Sequence, residues 1–213
     1  MSKIKPVTTG QTDGIAKMAN EKGLSRSGFQ SWIDEGEVSR LLDVRKMKEI
    51  AEGRGARIHI VQSWVRQDRP WDEAINAAGP DTPSDYNVRK VGHIYLPTGT
   101  VAETQEHVFL NYPNGDGNWD KALELGTELK LQRAVPRGVF AVGEQHPCLH
   151  RMLGVNPMYV VATTPCTFEG SQRACGVWWG ASERKACLVW VSRFGYAHDW
   201  FAFRKPSASD LKS

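Results

Sequence analysis

Residues 173–204 read RACGVWWGASERKACLVWVSRFGYAHDWFAFR, and this stretch decides the fold of the second half of the chain. Its runs are β-branched or aromatic, and glycine and serine separate them. Such a pattern is typical of short strands joined by loops, and it predicts strands at 173–179, 185–193 and 200–204. Four of the chain's eight tryptophans lie here: Trp178, Trp179, Trp190 and Trp200.

Two helices are predicted ahead of these strands. Asn118 or Asp120 can cap a helix that continues through Lys130, with its leucines at helical spacing. Pro136 suits the first position of a second helix, which ends before Pro147. Further strands are predicted at 58–65, 87–96, 106–112 and 158–163. The order of strands, two helices and strands predicts an α+β domain whose mixed, loop-rich sheet is mainly antiparallel.

The N-terminal part of the chain predicts a small helical region. Apolar residues at spacings of three and four predict three short helices between about residues 13 and 53, with Gly36 ending the second. Residues 67–86 contain Pro70, Pro80 and Pro83, which favour a linker. The predicted organisation is a helical region at 1–66, a proline-rich linker at 67–86 and an α+β domain at 87–213.

Composition is that of an ordinary globular protein, with 40% hydrophobic and 24% charged residues in 213. Apolar runs are shorter than the roughly 18 residues of a membrane span, and residues 1–6 lack the apolar core of a secretory signal. We therefore expect a cytoplasmic protein with no membrane partner. From Ser171 onward there are seven basic and three acidic residues, which predicts a basic surface on the terminal strands.

Several segments resemble a family of uncharacterised bacterial proteins known mostly from genomes of candidate phyla. The similar segments are 28–36, 106–111, the helix from Trp119, 137–147, 159–163 and 200–205. They are patterns of apolar and small residues at both ends of the chain. The resemblance implies no activity, because none is known for the family.

The C-terminal part is also distantly similar to bacterial C-type-lectin-like domains, which end in a strand like Phe201-Ala202-Phe203-Arg204. This resemblance implies two helices at 119–130 and 136–146 and a pairing of the domain's first and last strands. The sequence departs from the calcium-dependent sugar-binding members. Asn156-Pro157-Met158 lacks their acidic residue, and Asn118-Trp119-Asp120 stands before the first helix. The resemblance therefore implies a shape, without a calcium or carbohydrate site.

One cluster of chemically active side chains stands out. His146, Cys148 and His150 lie within five residues, and Cys166 and Cys175 could complete a set of zinc ligands. The spacing matches no standard zinc motif, and the four cysteines are expected to be buried structural thiols. We therefore predict no catalytic residue, no metal and no cofactor. A metal-dependent enzyme that uses His146, Cys148 and His150 is the second alternative.

The tryptophan-rich strands provide the candidate binding site. Trp178 and Trp179 are adjacent, so in a pleated strand they point to opposite faces and at least one should reach the surface. We predict that Trp178, Trp179, Arg184, Tyr196 and His198 contact a ligand. The expected function is a non-enzymatic binding module for an unidentified protein or small molecule. Nucleic-acid binding, through the N-terminal helices or through the basic, tryptophan-rich strands, is the first alternative.

Overall fold

The structure is a computed structural model that describes residues 28, 31, 34, 36–97 and 102–206. The chain divides into two compact units, Met1–Met47 and Lys48–Ser213. Helix α1 (Glu37–Gly53) follows Gly36, whose φ of 76° is the left-handed conformation that favours glycine. It corresponds to the third predicted N-terminal helix. The first two predicted helices lie almost entirely outside the described residues.

The second unit contains an eight-stranded sheet and five further helices within the described residues. The helices are α2 (Trp71–Ala78), α3 (Asn87–Lys90), α4 (Trp119–Glu128), α5 (Pro136–Gln145) and α6 (Leu149–Met152). The strands are β1 (Arg57–Arg66), β2 (Ala102–Asn111), β3 (Gln132–Arg133), β4 (Met158–Ala162), β5 (Cys166–Phe168), β6 (Ser171–Trp179), β7 (Arg184–Trp190) and β8 (Asp199–Arg204). No helix in these described ranges is long and apolar enough to cross a membrane.

The sheet is mixed, with the order β1-β2-β8-β4-β6-β5; β7 lies along β6, and β3 pairs with β8. Every pairing is antiparallel except that of β4 with β8, which is parallel. Strand β8 therefore lies inside the sheet, between β2 and β4. The predicted combination of helices with a mixed, mainly antiparallel sheet is confirmed.

Helices cover both faces of the sheet. On one face α5 packs across β1, β4 and β6, and α2 packs against α5. Here Gly143 lets α5 approach Val177 and the backbone of Ala78, because a Cβ at this glycine would lie 2.9 Å from the Ala78 carbonyl oxygen. On the opposite face the Phe203 ring fills the space beside Gly126 of α4. This arrangement buries the centre of the sheet and leaves the loops at its ends to form surface sites.

The proline-rich segment 67–86 is part of the folded unit, which differs from the predicted linker. It contains α2, in which Ile75 is fully buried. The Thr82 hydroxyl accepts a hydrogen bond from the backbone N–H of Ala186 at 2.8 Å, so the segment lies along the edge of β7. Strand β1 pairs with β2 along its whole length. The compact unit thus begins at Lys48, and the predicted boundaries at 66 and 86 fall inside it.

The strand predicted at 87–96 is wrong, because these residues form α3 followed by turns. Val88 and Val91 are both fully buried, and their spacing of three residues is helical. Arg89 fixes the turn, since its guanidinium donates to the Pro83 carbonyl at 3.0 Å and pairs with Asp72 at 3.0 Å. Valine by itself favours a strand, but the contacts of Arg89 with Pro83 and Asp72 favour the helix.

Candidate functional site

Trp178 and Trp179 point to opposite faces of β6, as the pleat requires. Trp179 is 1% exposed and belongs to the core beneath the helices on the α5 face. Trp178 is half-buried on the other face, where it lies against Gly180. A ligand at the surface can therefore reach Trp178, and the prediction that Trp179 also contacts the ligand does not fit its burial.

Arg184 has a structural role at the edge of β7. Its guanidinium donates to the Ala78 carbonyl at 2.6 Å, at the end of α2, and its backbone N–H donates to Asp81 at 2.7 Å. Burial lowers the pKa of Arg184 below its ordinary value. The cation beside Trp178 is instead Lys185, whose Nζ lies 5.8 Å from the centroid of the indole ring. Arg184 thus anchors α2 and does not line the cleft described next.

Three of the five predicted residues meet in one surface cleft of about 200 Å³, which we call the Trp178 cleft. It combines the end of β6 with the loop between β7 and β8. Its lining comprises Trp178, Tyr196 and His198 together with Tyr159, Val189, Arg193, Phe194 and Asp199. The tyrosine at 196 is 61% exposed, and its ring stacks parallel to that of His198 at 5.5 Å between centroids.

Two buried polar side chains hold the loop that carries Tyr196 and His198. The Asp199 carboxylate accepts hydrogen bonds from the backbone N–H groups of Gly195 and Tyr196, both at 2.9 Å. The Asn111 amide donates to the carbonyls of Ala197 at 2.9 Å and Asp199 at 2.8 Å. Both side chains are buried, so these bonds are protected from water. The exposed rings are therefore presented on a fixed backbone.

Sequence reasoning missed Asn111 and Asp199 as positioning residues. Aspartate accepts backbone hydrogen bonds in turns, and Asp199 directly follows the loop Gly195-Tyr196-Ala197-His198. The position of Asp199 after this loop could therefore have indicated its role from the sequence. The role of Asn111 depends on the pairing of β2 with β8, which places Asn111 opposite Trp200 and cannot be read from local sequence.

The buried rings of Tyr159 and Phe194 form the floor of the Trp178 cleft. The Tyr159 ring crosses the backbone at Gly176, and its hydroxyl is buried without a hydrogen-bond partner in the described part of the chain. Burial raises the pKa of Tyr159 far above its ordinary value, so the hydroxyl is a neutral donor. Phe194 continues the floor and packs against Tyr159 at 5.5 Å between centroids. A flat group can stack on the rings that line this cleft.

The cluster at His146, Cys148 and His150 does not form a set of metal ligands. The His146 ring bonds through Nε2 to the Gln62 carbonyl at 2.8 Å, while His150 is buried and Cys148 is exposed. Over residues 36–97 and 102–206, no group of three or more His, Cys, Asp and Glu side chains is arranged to hold a metal. The three residues are close in sequence, which suggested the zinc alternative, but their side chains lie in different environments.

The two remaining tryptophans of this region have different environments. Trp190 is 42% exposed at the end of β7, and the Arg173 guanidinium lies 4.0 Å from the centroid of its ring. Trp200 is buried in β8 within the core. Neither lines the Trp178 cleft. Trp190 is therefore a useful reference for the cleft, since it is an exposed aromatic side chain outside it.

No protein-family model, curated protein or solved structure matches this chain.

Proposed function

We propose that the protein is a non-enzymatic binding module whose ligand presents a flat, polar group to the Trp178 cleft. The observation that carries the proposal is the convergence of Trp178 with Tyr196 and His198 over an unpartnered buried hydroxyl. An aromatic surface with a donor at its base suits a planar group that carries a carbonyl or ring nitrogen. A cleft of about 200 Å³ holds one such group, so a larger ligand would insert only its end.

The chemistry of the lining favours binding over catalysis. No serine, threonine or cysteine is among the described residues that line the cleft, so an aliphatic hydroxyl or thiol nucleophile beside His198 is missing there. Asp199 Oδ2 accepts from two backbone N–H groups, and Asp199 Oδ1 lies 3.7 Å from His198 Nε2, which is longer than a hydrogen bond. Its role is thus to hold the loop, as in a preformed recognition site.

Titration with benzamide and nicotinamide, followed by ligand-observed NMR, tests this function. Each probe combines one flat ring with an amide that can accept from the Tyr159 hydroxyl. We expect saturable binding to the wild-type chain and a loss of about two- to tenfold in affinity for Tyr196→Ala, since stacking on one ring contributes about 0.5–1.5 kcal/mol. Trp190→Ala is the matched control, because it removes an exposed aromatic side chain outside the cleft.

The proposal fails if neither probe binds, or if Trp190→Ala weakens binding as much as Tyr196→Ala. A Tyr159→Phe variant adds a second test, because it removes only the buried hydroxyl. We expect this variant to weaken the amide probes while it leaves the binding of toluene, which has no acceptor, unchanged. Equal effects on the amides and on toluene would assign the hydroxyl no role in recognition.

Nucleic-acid binding is the second candidate function, and one observation favours it. Trp178 is flanked by Lys185 at 5.8 Å, and Arg193 lies in the same cleft, so a base could stack where two cations approach its phosphate. A fluorescent oligothymidine tests this by its affinity at 50 and 200 mM salt. A steep fall in affinity with salt, lost in Lys185→Gln, would favour this function over the first.

The fold relationship is also a proposal. We infer a C-type-lectin-like arrangement in a cytoplasmic protein of the uncharacterised bacterial family named above. What supports the arrangement is the antiparallel pairing of β2 with β8 around helices α4 and α5, which follow β2 directly. The metal-dependent enzyme receives no support from the cluster at His146, Cys148 and His150.

A further inference from the structure

A second cleft, of about 270 Å³, lies beside α5 and is distinct from the Trp178 cleft. Three arginines line it, Arg66, Arg69 and Arg137, with Glu144 as the one acidic side chain in the lining. Trp64, Phe140 and Ala141 supply apolar surface at the same place. Positive side chains thus outnumber negative ones, and they adjoin an apolar wall.

Arg137 is the unusual member, because it is 6% exposed and has no carboxylate within 4 Å in the described part of the chain. Its guanidinium donates to the carbonyls of Arg69 and Tyr95 and lies 5.6 Å from the centroid of the Trp71 ring. Its Nε–H is buried and has no hydrogen-bond partner among the described residues. Asp68 interacts with Arg137 electrostatically but forms its ion pair with Arg66. A buried cation without a direct ion pair is costly, so a protein that keeps one gains from an anion that enters from solvent.

The two neighbouring arginines that line the cleft are each paired with a carboxylate. Arg66 pairs with Asp68 at 3.1 Å and is about half exposed. Arg69 forms two bonds with Glu144, at 2.5 and 3.1 Å, while its own Nε–H is buried without a partner. Arg69 and Arg137, whose buried Nε–H groups both lack a partner among the described residues, therefore line the same cleft. Guanidinium groups match the oxygens of carboxylates and phosphates in geometry and charge.

We propose that this cleft binds a small organic oxyanion, a carboxylate or phosphate monoester, with its charged end at Arg137 and its apolar part against Trp64 and Phe140. The Trp64 residue is 53% exposed. The Gln145 side chain fixes the backbone of Trp64 by two hydrogen bonds: its Oε1 accepts from the backbone N–H at 2.9 Å, and its Nε2 donates to the backbone carbonyl at 2.8 Å. The apolar wall is therefore held in place before any ligand enters, which lowers the entropy cost of binding.

Isothermal titration of the full chain with phenyl phosphate, benzoate and phenol tests the proposal. We expect one molecule of phenyl phosphate or benzoate per chain, and no binding of phenol, which lacks the anionic group. Arg66→Gln should weaken binding of the anions about tenfold, because one charged hydrogen bond to the ligand is lost. Arg66 is exposed enough that this variant should fold normally. Arg54→Gln is the matched control, since Arg54 pairs with Glu128 in a different surface region.

Arg137→Lys provides a second variant that retains the positive charge and removes the Nε–H donor. It should bind the anions more weakly than the wild type while it unfolds at a similar denaturant concentration. Failure of both anions to bind the wild type would overturn the proposal. Equal binding of phenol, or equal losses in Arg66→Gln and Arg54→Gln, would also overturn it, because the anion would then not be held by this cleft.

Discussion

His107 should make the stability of the protein depend on pH in the mildly acidic range. The side chain is fully buried, its Nε2 lies 2.9 Å from the Ser63 hydroxyl, and its Nδ1 is buried without a partner in the described part of the chain. Burial, together with the nearby charges of Arg204 and His146, lowers the pKa of His107 from 6.5 to about 4. The folded protein therefore holds this imidazole in its neutral form.

The direction in which the free energy of unfolding changes with pH follows from the number of protons that the folded and unfolded states bind. Between pH 6.5 and about 4 the unfolded chain binds a proton at His107, and the folded chain does not. The free energy of unfolding is therefore highest above pH 6.5 and falls as the pH drops through this window. At about 1.4 kcal/mol per pH unit, the whole window corresponds to a loss of about 3 kcal/mol.

Urea unfolding followed by far-UV circular dichroism, at pH 7 and pH 4.5, measures this loss. We expect the wild type to lose about 2–3 kcal/mol more than His107→Gln between the two pH values, because glutamine does not titrate. The comparison removes the contribution of the carboxylates, which both proteins share. A tight contact of the ring with Gly138 means that the variant can be less stable at both pH values, and only its pH dependence is decisive. Equal losses in the two proteins would refute the argument.

Two further predictions concern packing. Trp179→Ala should reduce the free energy of unfolding by about 3–5 kcal/mol and Trp178→Ala by less than about 2 kcal/mol, because only Trp179 is fully enclosed in the core. Urea unfolding of the two variants measures this difference. Similar losses in both variants would contradict the assignment of the two side chains to opposite faces. Gly126→Val should cost about 2 kcal/mol or more, since its side chain would overlap the Phe203 ring. Gly53→Ala, which has open space at its Cβ, is the control for thermal unfolding and should be neutral or stabilising.

Helices α4 and α5 illustrate what could be predicted from sequence. The Asn118 side chain accepts from the backbone N–H of Lys121 at 2.9 Å, which is the cap expected from its residue type. Pro136 stands at the start of α5, where its missing N–H costs nothing. Strand β2 and the terminal strands β6, β7 and β8 were likewise predicted from alternation and residue type, because these local preferences agree with the final fold.

The candidate site could be predicted only in part. Alternation required Trp178 and Trp179 to point to opposite faces, but only the packing of α5 decided which face is the more deeply covered. Arg184 was predicted to contact a ligand from a loop between the terminal strands, but its guanidinium donates to the Ala78 carbonyl at the end of α2 instead. The Trp178 cleft itself combines β4 and β6 with the loop before β8, so it exists only after the strands have paired.

The sequence by itself determined the type and approximate limits of most helices and strands from β2 onward, since caps, prolines and side-chain periodicity act within a few residues. Tertiary structure decided that residues 57–86 belong to the same compact unit, because β1 pairs with β2 and α2 packs on α5. It also buried Arg137 without a carboxylate within 4 Å among the described residues. These features depend on contacts between residues far apart in the chain. The free energies of those contacts exceed the local conformational preferences that a sequence pattern reflects.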